Sequence, residues 1–75
     1  MSEPRLTARE EQVLRLLAWG YANREVAGKL ALSVKTVEAH KANAMRKLGL
    51  ARRVDLVRYA VKAGWLEFEL GYEDS

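Results

Sequence analysis

The sequence predicts an all-α domain: a four-helix bundle containing a helix-turn-helix. Three observations carry this. Apolar residues recur at helical spacing in four separate stretches. Capping residues and glycines stand where several of those stretches begin or end. No repeat, low-complexity tract or strand pair occurs. A chain of 75 residues has room for one small domain.

Pro4, the only proline, precedes every periodic stretch. In "LTAREEQVLRLLAWG", Thr7 is a good N-cap, and Glu10 three positions on completes a capping box. Val13, Leu14 and Leu17 share one face, with Leu16 beside them. Gly20 offers the left-handed conformation that ends helices, so the first helix covers about residues 8–19. A short second helix spans about 23–30, burying Val26, Ala27 and Leu30. Gly28 weakens it by roughly 1 kcal/mol relative to alanine. Only Ala31 and Leu32 then separate it from Ser33, which can cap a third helix over 34–48 that Gly49 ends. The fourth covers about 53–63, with Leu56, Val57, Ala60 and Ala63 inward and Gly64 as its stop. Residues 1–5 form an N-terminal tail, and "EFELGYEDS" (67–75) reads as an acidic, extended or frayed C-terminal tail.

Composition narrows the class. Hydrophobic residues make up 49%, too many for a disordered chain, yet a core this small supplies only ~3–5 kcal/mol net. Without cysteine the chain has no disulfides or thiolate metal sites, which fits a reducing cytoplasm. No apolar run is long enough to span a membrane, and "MSEPRLTARE" has no secretion-leader pattern. Met1 suits a stand-alone product, although a piece of a larger protein would look much the same. The net charge is only +3, but between Arg24 and Lys62 ten Lys or Arg stand against Glu25, Glu38 and Asp55. A basic middle suggests a polyanion partner; a solvated helical surface has the same charge.

The link between the second and third helices is too short for them to fold back on one another, so they cross steeply. In a helix-turn-helix the second member of such a pair can lie in the DNA major groove. At 100° per residue, Ala44 and Leu48 fall within about 20° of Val37 and form the core side of the third helix. Lys35, Ala39, Ala42 and Arg46 cluster opposite, with Glu38 on one flank and Thr36, Asn43 and Lys47 on the other. Small residues let the backbone approach bases and pack on thymine methyls, Glu38 can accept from a cytosine amino group, and Lys35 can reach guanine or phosphate. The plain alternative is that Ala39 and Ala42 are good helix formers filling an exposed face. On the fourth helix, Val54, Arg58 and Val61 form an outward side suited to a two-fold contact, or simply an apolar surface that solvent tolerates.

The motifs "LTARE", "VLRLLAWG", "NREVAGKL", "LSVKTVEAH", "RKLGL" and "AGWL" together resemble the LuxR-type helix-turn-helix domain, also called GerE or FixJ-like. The resemblance covers residues 6–66, and "TVEAHKANAMRKL" looks closest to the branch found in FixJ-like response regulators. It implies a bacterial transcription regulator whose third helix reads duplex DNA and whose fourth pairs it as a homodimer, at least on DNA, with a possible RNA polymerase contact. Glu38, Ala39 and Ala42 match base-facing positions. Lys35, Thr36, Lys41, Arg46 and Lys47 lie where groove or phosphate contacts are usual, and Arg24 matches a phosphate-contacting position. The family's acidic residue in the first turn is Glu10, and its basic residue before the fourth helix is Arg53. Three positions depart from the pattern, one of them Glu38, where many members have lysine, so their sequence preference does not carry over. Ala22 replaces a usual serine, removing a second capping box with Glu25, so Asn23 would have to cap the helix instead. Arg52 stands where a short polar cap is usual, adding a charge that can reach phosphate.

Other residues point away from chemistry. One histidine, His40, without any cysteine makes a poor metal site, and it is expected at the helix edge, hydrogen-bonded to a neighbour. No nucleophile–base pair or glycine-rich phosphate loop appears, so neither an enzyme nor a cofactor is expected. Trp19, Tyr21, Tyr59 and Trp65 sit at helix ends and read as core edges and packing corners, not a stacking platform for single strands. The rival function is a protein-interaction module that binds an acidic partner or another regulator through the fourth helix.

Overall fold

The computed structural model describes residues 5–66, which form α1 (Ala8–Trp19), α2 (Asn23–Leu30), α3 (Val34–Leu48) and α4 (Arg53–Lys62). No strand occurs among the described residues. Apart from Arg5, the two expected tails lie outside them. The helices start where the sequence places them, and α4 stops one residue early, at Lys62. Ala63, expected inward, is instead its exposed C-cap.

Helix α1 is the hub, packing against all three others, while α3 also lies on α2. Val13, Leu14, Leu17 and Ala18 of α1 meet Val26 and Ala27 of α2, Leu56 and Ala60 of α4, and Leu66 beyond it. From α3 come Val37, Ala44 and Met45. Met45 lies about 80° from Val37 on the helical wheel, and its flexible thioether can bend inward from the helix edge to fill the gap. Leu30, Leu48 and Val57, all expected inside, are half-buried and pack on this cluster from outside.

All four helices end alike. The residue after each helix, or one further on, takes a positive φ: Gly20 (112°), Ala31 (58°), Gly49 (71°) and Gly64 (81°). The amide of the following residue then donates back over the last turn: Tyr21 to Leu16, Leu32 to Ala27, Leu50 to Met45 and Trp65 to Ala60. Those four donors all have apolar side chains packed on the core, so each stop signal also adds a contact. Ala31 does this without glycine's freedom. The left-handed conformation costs alanine ~1–2 kcal/mol, which packing of Leu32 helps offset.

Helix starts vary more. The Thr7 hydroxyl accepts from Glu10 N–H (3.0 Å) and the Glu10 carboxylate accepts from Thr7 N–H (2.9 Å), the full capping box expected. Ser33 caps α3 by accepting from Thr36 N–H (3.0 Å). At α2 the reciprocal half of a box survives the loss of serine. Glu25 accepts from Ala22 N–H at 2.8 Å, and Asn23 is the first helical residue, not the cap. Helix α4 uses the same half-box, with Asp55 accepting from Arg52 N–H at 2.9 Å and Ala51 N–H at 3.2 Å.

Candidate nucleic-acid interface

Helix α3 divides as its wheel predicts. Val37 and Ala44 are fully buried, while Lys35, Thr36, Glu38, Ala39, Ala42 and Arg46 are exposed. The three-residue corner Ala31–Ser33, turned by the left-handed Ala31 and anchored by Leu32, carries the chain from α2 straight into this helix. Its outer surface is low in the middle, at Ala39 and Ala42, and cationic at both ends, at Lys35 and Arg46. An open groove of about 480 Å³ runs along one flank, lined by Glu38, Lys41, Ala42 and Arg46 with Asn23 and Ala51 opposite. Lys41 is half-buried in this flank, and Arg24 is exposed in the first turn of α2.

The cations fall into two sets. Some are committed to the fold. Arg15 pairs with Glu11 at 2.7 Å, Lys47 with Glu10 at 2.8 Å, and Arg52 with Asp55 at 3.8 Å. Arg53 donates to the Leu17 carbonyl at 2.7 Å, closing the end of α1. Among the described residues Arg24, Lys35, Lys41 and Arg46 have no carboxylate partner. Lys35 and Arg46 lie on the outer face of α3, Lys41 in its half-buried flank and Arg24 on α2; Arg5, Arg9, Lys29, Arg58 and Lys62 likewise have no carboxylate partner among the described residues and lie elsewhere. Arg46 is steadied by donating to Asn43 Oδ1 at 3.1 Å, and the Thr36 hydroxyl accepts from Ser33 at 2.9 Å.

Two carboxyls are perturbed. The hydrogen bond from Lys47 and then that from Thr7 hold Glu10 below its usual range, against the desolvation that raises it. The Arg52 N–H does the same for Asp55. The Glu10–Lys47 pair was not legible in the sequence, since the residues are far apart and Lys47 reads as a free surface cation. In the structure its ammonium also lies 3.4 Å from the Arg5 carbonyl. A phosphate contact at Lys47 must therefore compete with an ion pair already made.

His40 is half-buried at the helix edge, and among the described residues its ring has no hydrogen-bond partner, contrary to expectation. Tyr59 and Trp65 pack edge to face at 5.3 Å, Arg15 lies over Trp65, and Lys29 over Tyr21. These three rings sit at packing corners as expected. Trp19 does not: it is 60% exposed. Val54 and Val61 are 44% and 46% exposed on α4, with Arg58 exposed between them.

Residues 4–60 match the family model for bacterial regulatory proteins of the luxR family. The chain belongs to that family. It is 56% identical over 63 residues to the oxygen regulatory protein NreC of Staphylococcus aureus, a match covering 84% of this chain and 29% of NreC. The response regulator RcsB of Salmonella typhimurium superposes with a TM-score of 0.74 at 42% identity, over 76% of this chain and 28% of RcsB. RcsB has also been solved as two dimers bound to two parallel DNAs; that structure superposes with a TM-score of 0.72 at 41% identity, over 79% of this chain and 29% of RcsB. The transcription factor GerE matches over 85% of this chain and 96% of its own, with a TM-score of 0.71 and 31% identity. The chain thus spans under a third of the length of NreC and RcsB and nearly all of GerE. No helix among the described residues is long and apolar enough to cross a membrane.

Proposed function

We propose that this luxR-family domain binds duplex DNA sequence-specifically and regulates transcription, with α3 in the major groove. The observation that carries the reading is the outer face of α3, where Ala39 and Ala42 form an exposed low centre between uncommitted Lys35 and Arg46. Lys35, Glu38, Ala39 and Ala42 face the bases. Arg24, Thr36, Lys41 and Arg46 reach the backbone, as does Arg52, whose exposed side chain must leave a loose 3.8 Å contact with Asp55, while Lys47 is held by Glu10. Phosphate contacts give affinity and register, and the few base-facing side chains give choice. The place of action is the bacterial cytoplasm, and no catalytic role is assigned.

Exposed Val54, Arg58 and Val61 make α4 the surface on which two copies pair, at least when DNA-bound. RcsB, which forms dimers on DNA, supports this by analogy. The same two valines favour a second reading, in which α4 anchors an acidic protein or another regulator and α3 is only scaffold.

Titrating a labelled duplex at several salt concentrations tests the first reading. Affinity should fall with salt at a log–log slope of about −0.9 per phosphate contacted. A slope near zero contradicts it. Variants of α3 that leave a protein partner bound but lose DNA uphold the first reading, and variants that lose neither favour the second. Sedimentation that shows no self-association, with or without a palindromic duplex, removes the dimer.

A further inference from the structure

We infer that Glu10 and Lys47 are a positioning pair: their ion pair sets how α3 lies on α1, and so which base edges the outer face of α3 can reach. The inference rests on the DNA reading above and gives Lys47 a task other than touching phosphate.

Glu10 is the only charged side chain buried among the described residues, at 5% exposed. Its Oε1 accepts from Thr7 N–H at 2.9 Å and from Lys47 Nζ at 2.8 Å. The first bond does not need a charge, because glutamine serves equally in a capping box. The charge therefore answers to Lys47, 37 residues away on the last turn of α3.

The packing explains why α3 needs such a pin. Its buried side chains are Val37, Ala44 and Met45, two small and one flexible, and the one larger branched contact, Leu48, is only half-buried at its last turn. Small residues interlock weakly, and a thioether accommodates many arrangements, so this surface alone specifies the rotation and slide of α3 poorly. An ion pair with one partner buried is far less tolerant, since moving α3 away leaves a desolvated carboxylate unpaired. The other end of α1 is gripped in a parallel way, by Arg53 from α4 on the Leu17 carbonyl.

The test is a double-mutant cycle on the full chain with Glu10→Gln, Lys47→Met and both together. The probe is a duplex selected by the wild type from random sequence, beside one of unrelated sequence. Glu10→Gln keeps the acceptor for Thr7 and so spares the cap. Each single variant should lose about tenfold in affinity for the selected duplex, and the double variant should lose no more than the worse single, as for coupled neighbours. Binding to the unrelated duplex and the salt slope should stay unchanged, because no phosphate contact is lost. Residual dipolar couplings of the free Glu10→Gln protein should show α3 reoriented against α1.

The inference is overturned if Lys47→Met alone weakens binding and flattens the slope by about 0.9 while Glu10→Gln is silent, which marks Lys47 as a phosphate contact. Unchanged couplings in Glu10→Gln overturn it as well. If the wild type binds no duplex, the DNA reading fails, and with it the base-reading half of this inference; reoriented couplings would still uphold the pin itself.

Discussion

Replacing Ala42 with glutamate separates the two sides of α3. Ala42 is exposed near the centre of the outer face, so a longer side chain there extends into solvent. Glutamate is a good helix former. It would also stand four residues before Arg46, the favourable order for an i,i+4 pair contributing about 0.2–0.5 kcal/mol. Glu38, four residues earlier on the same helix, makes a like-charge pair of similar size that offsets this gain, so folding is about unchanged. Binding suffers twice. The new carboxylate draws the Arg46 guanidinium away from phosphate, and it sits close to phosphates itself. A single like charge about 7 Å away costs ~2.4 kcal/mol at an effective dielectric of about 20, roughly a fifty-fold loss of affinity before Arg46 is counted. Anisotropy of a labelled duplex at fixed salt measures the loss, with far-UV circular dichroism and thermal melting run on the same sample. Wild-type affinity with a wild-type spectrum would show that this face does not meet DNA. A collapsed spectrum would show that Ala42 does not point outward.

Three further outcomes follow from the caps and the buried acid. Ala22→Ser should complete the box that Glu25 already half makes and raise stability by about 1 kcal/mol, read as a higher denaturant midpoint. Ala31→Gly should relieve the ~1–2 kcal/mol left-handed cost at alanine, and after the ~0.4–1 kcal/mol of extra freedom that glycine gives the unfolded chain the net stabilisation should be about 0.5–1 kcal/mol; a destabilised variant would refute a strained corner. The Glu10 carboxyl titrates below its ordinary 4.5 in the native state, so it favours folding at pH values above that and ceases to as pH falls through the native pKa. The melting temperature of the wild type should therefore exceed that of Glu10→Gln near neutrality, and the gap should close in acid. A gap independent of pH would contradict the pairing.

Local signals made most of the fold legible. Thr7, Ser33, Gly20 and Gly49 act within a few residues of where they stand, so helix ends could be read without knowing what packs on what. The two faces of α3 followed from periodicity alone. What escaped depended on distant partners or on side-chain shape. Met45 reaches the core because its side chain bends, which a wheel of Cβ directions does not register. Lys47 and Arg53 look like surface charge until α1 is placed beside them. Of the expected site residues, Lys35, Glu38, Ala39, Ala42 and Arg46 share the outer face of α3 or its flank, Lys41 sits half-buried at its edge, and Arg24 lies on a neighbouring element. Ala63 faces solvent where periodicity points it inward, because beyond the last helical turn the wheel no longer governs direction.

The corner between α2 and α3 contains neither glycine nor proline, and a single left-handed alanine turns it. Losing the Ser33 cap would cost about 1 kcal/mol and leave the corner's course unchanged, whereas its length fixes the register of everything beyond it. One inserted residue would advance everything after it by a step of about 100°, swinging Val37 and Ala44 out into water. Insertions and deletions at this spot should be far more damaging than substitutions, the reverse of the usual behaviour of surface connections.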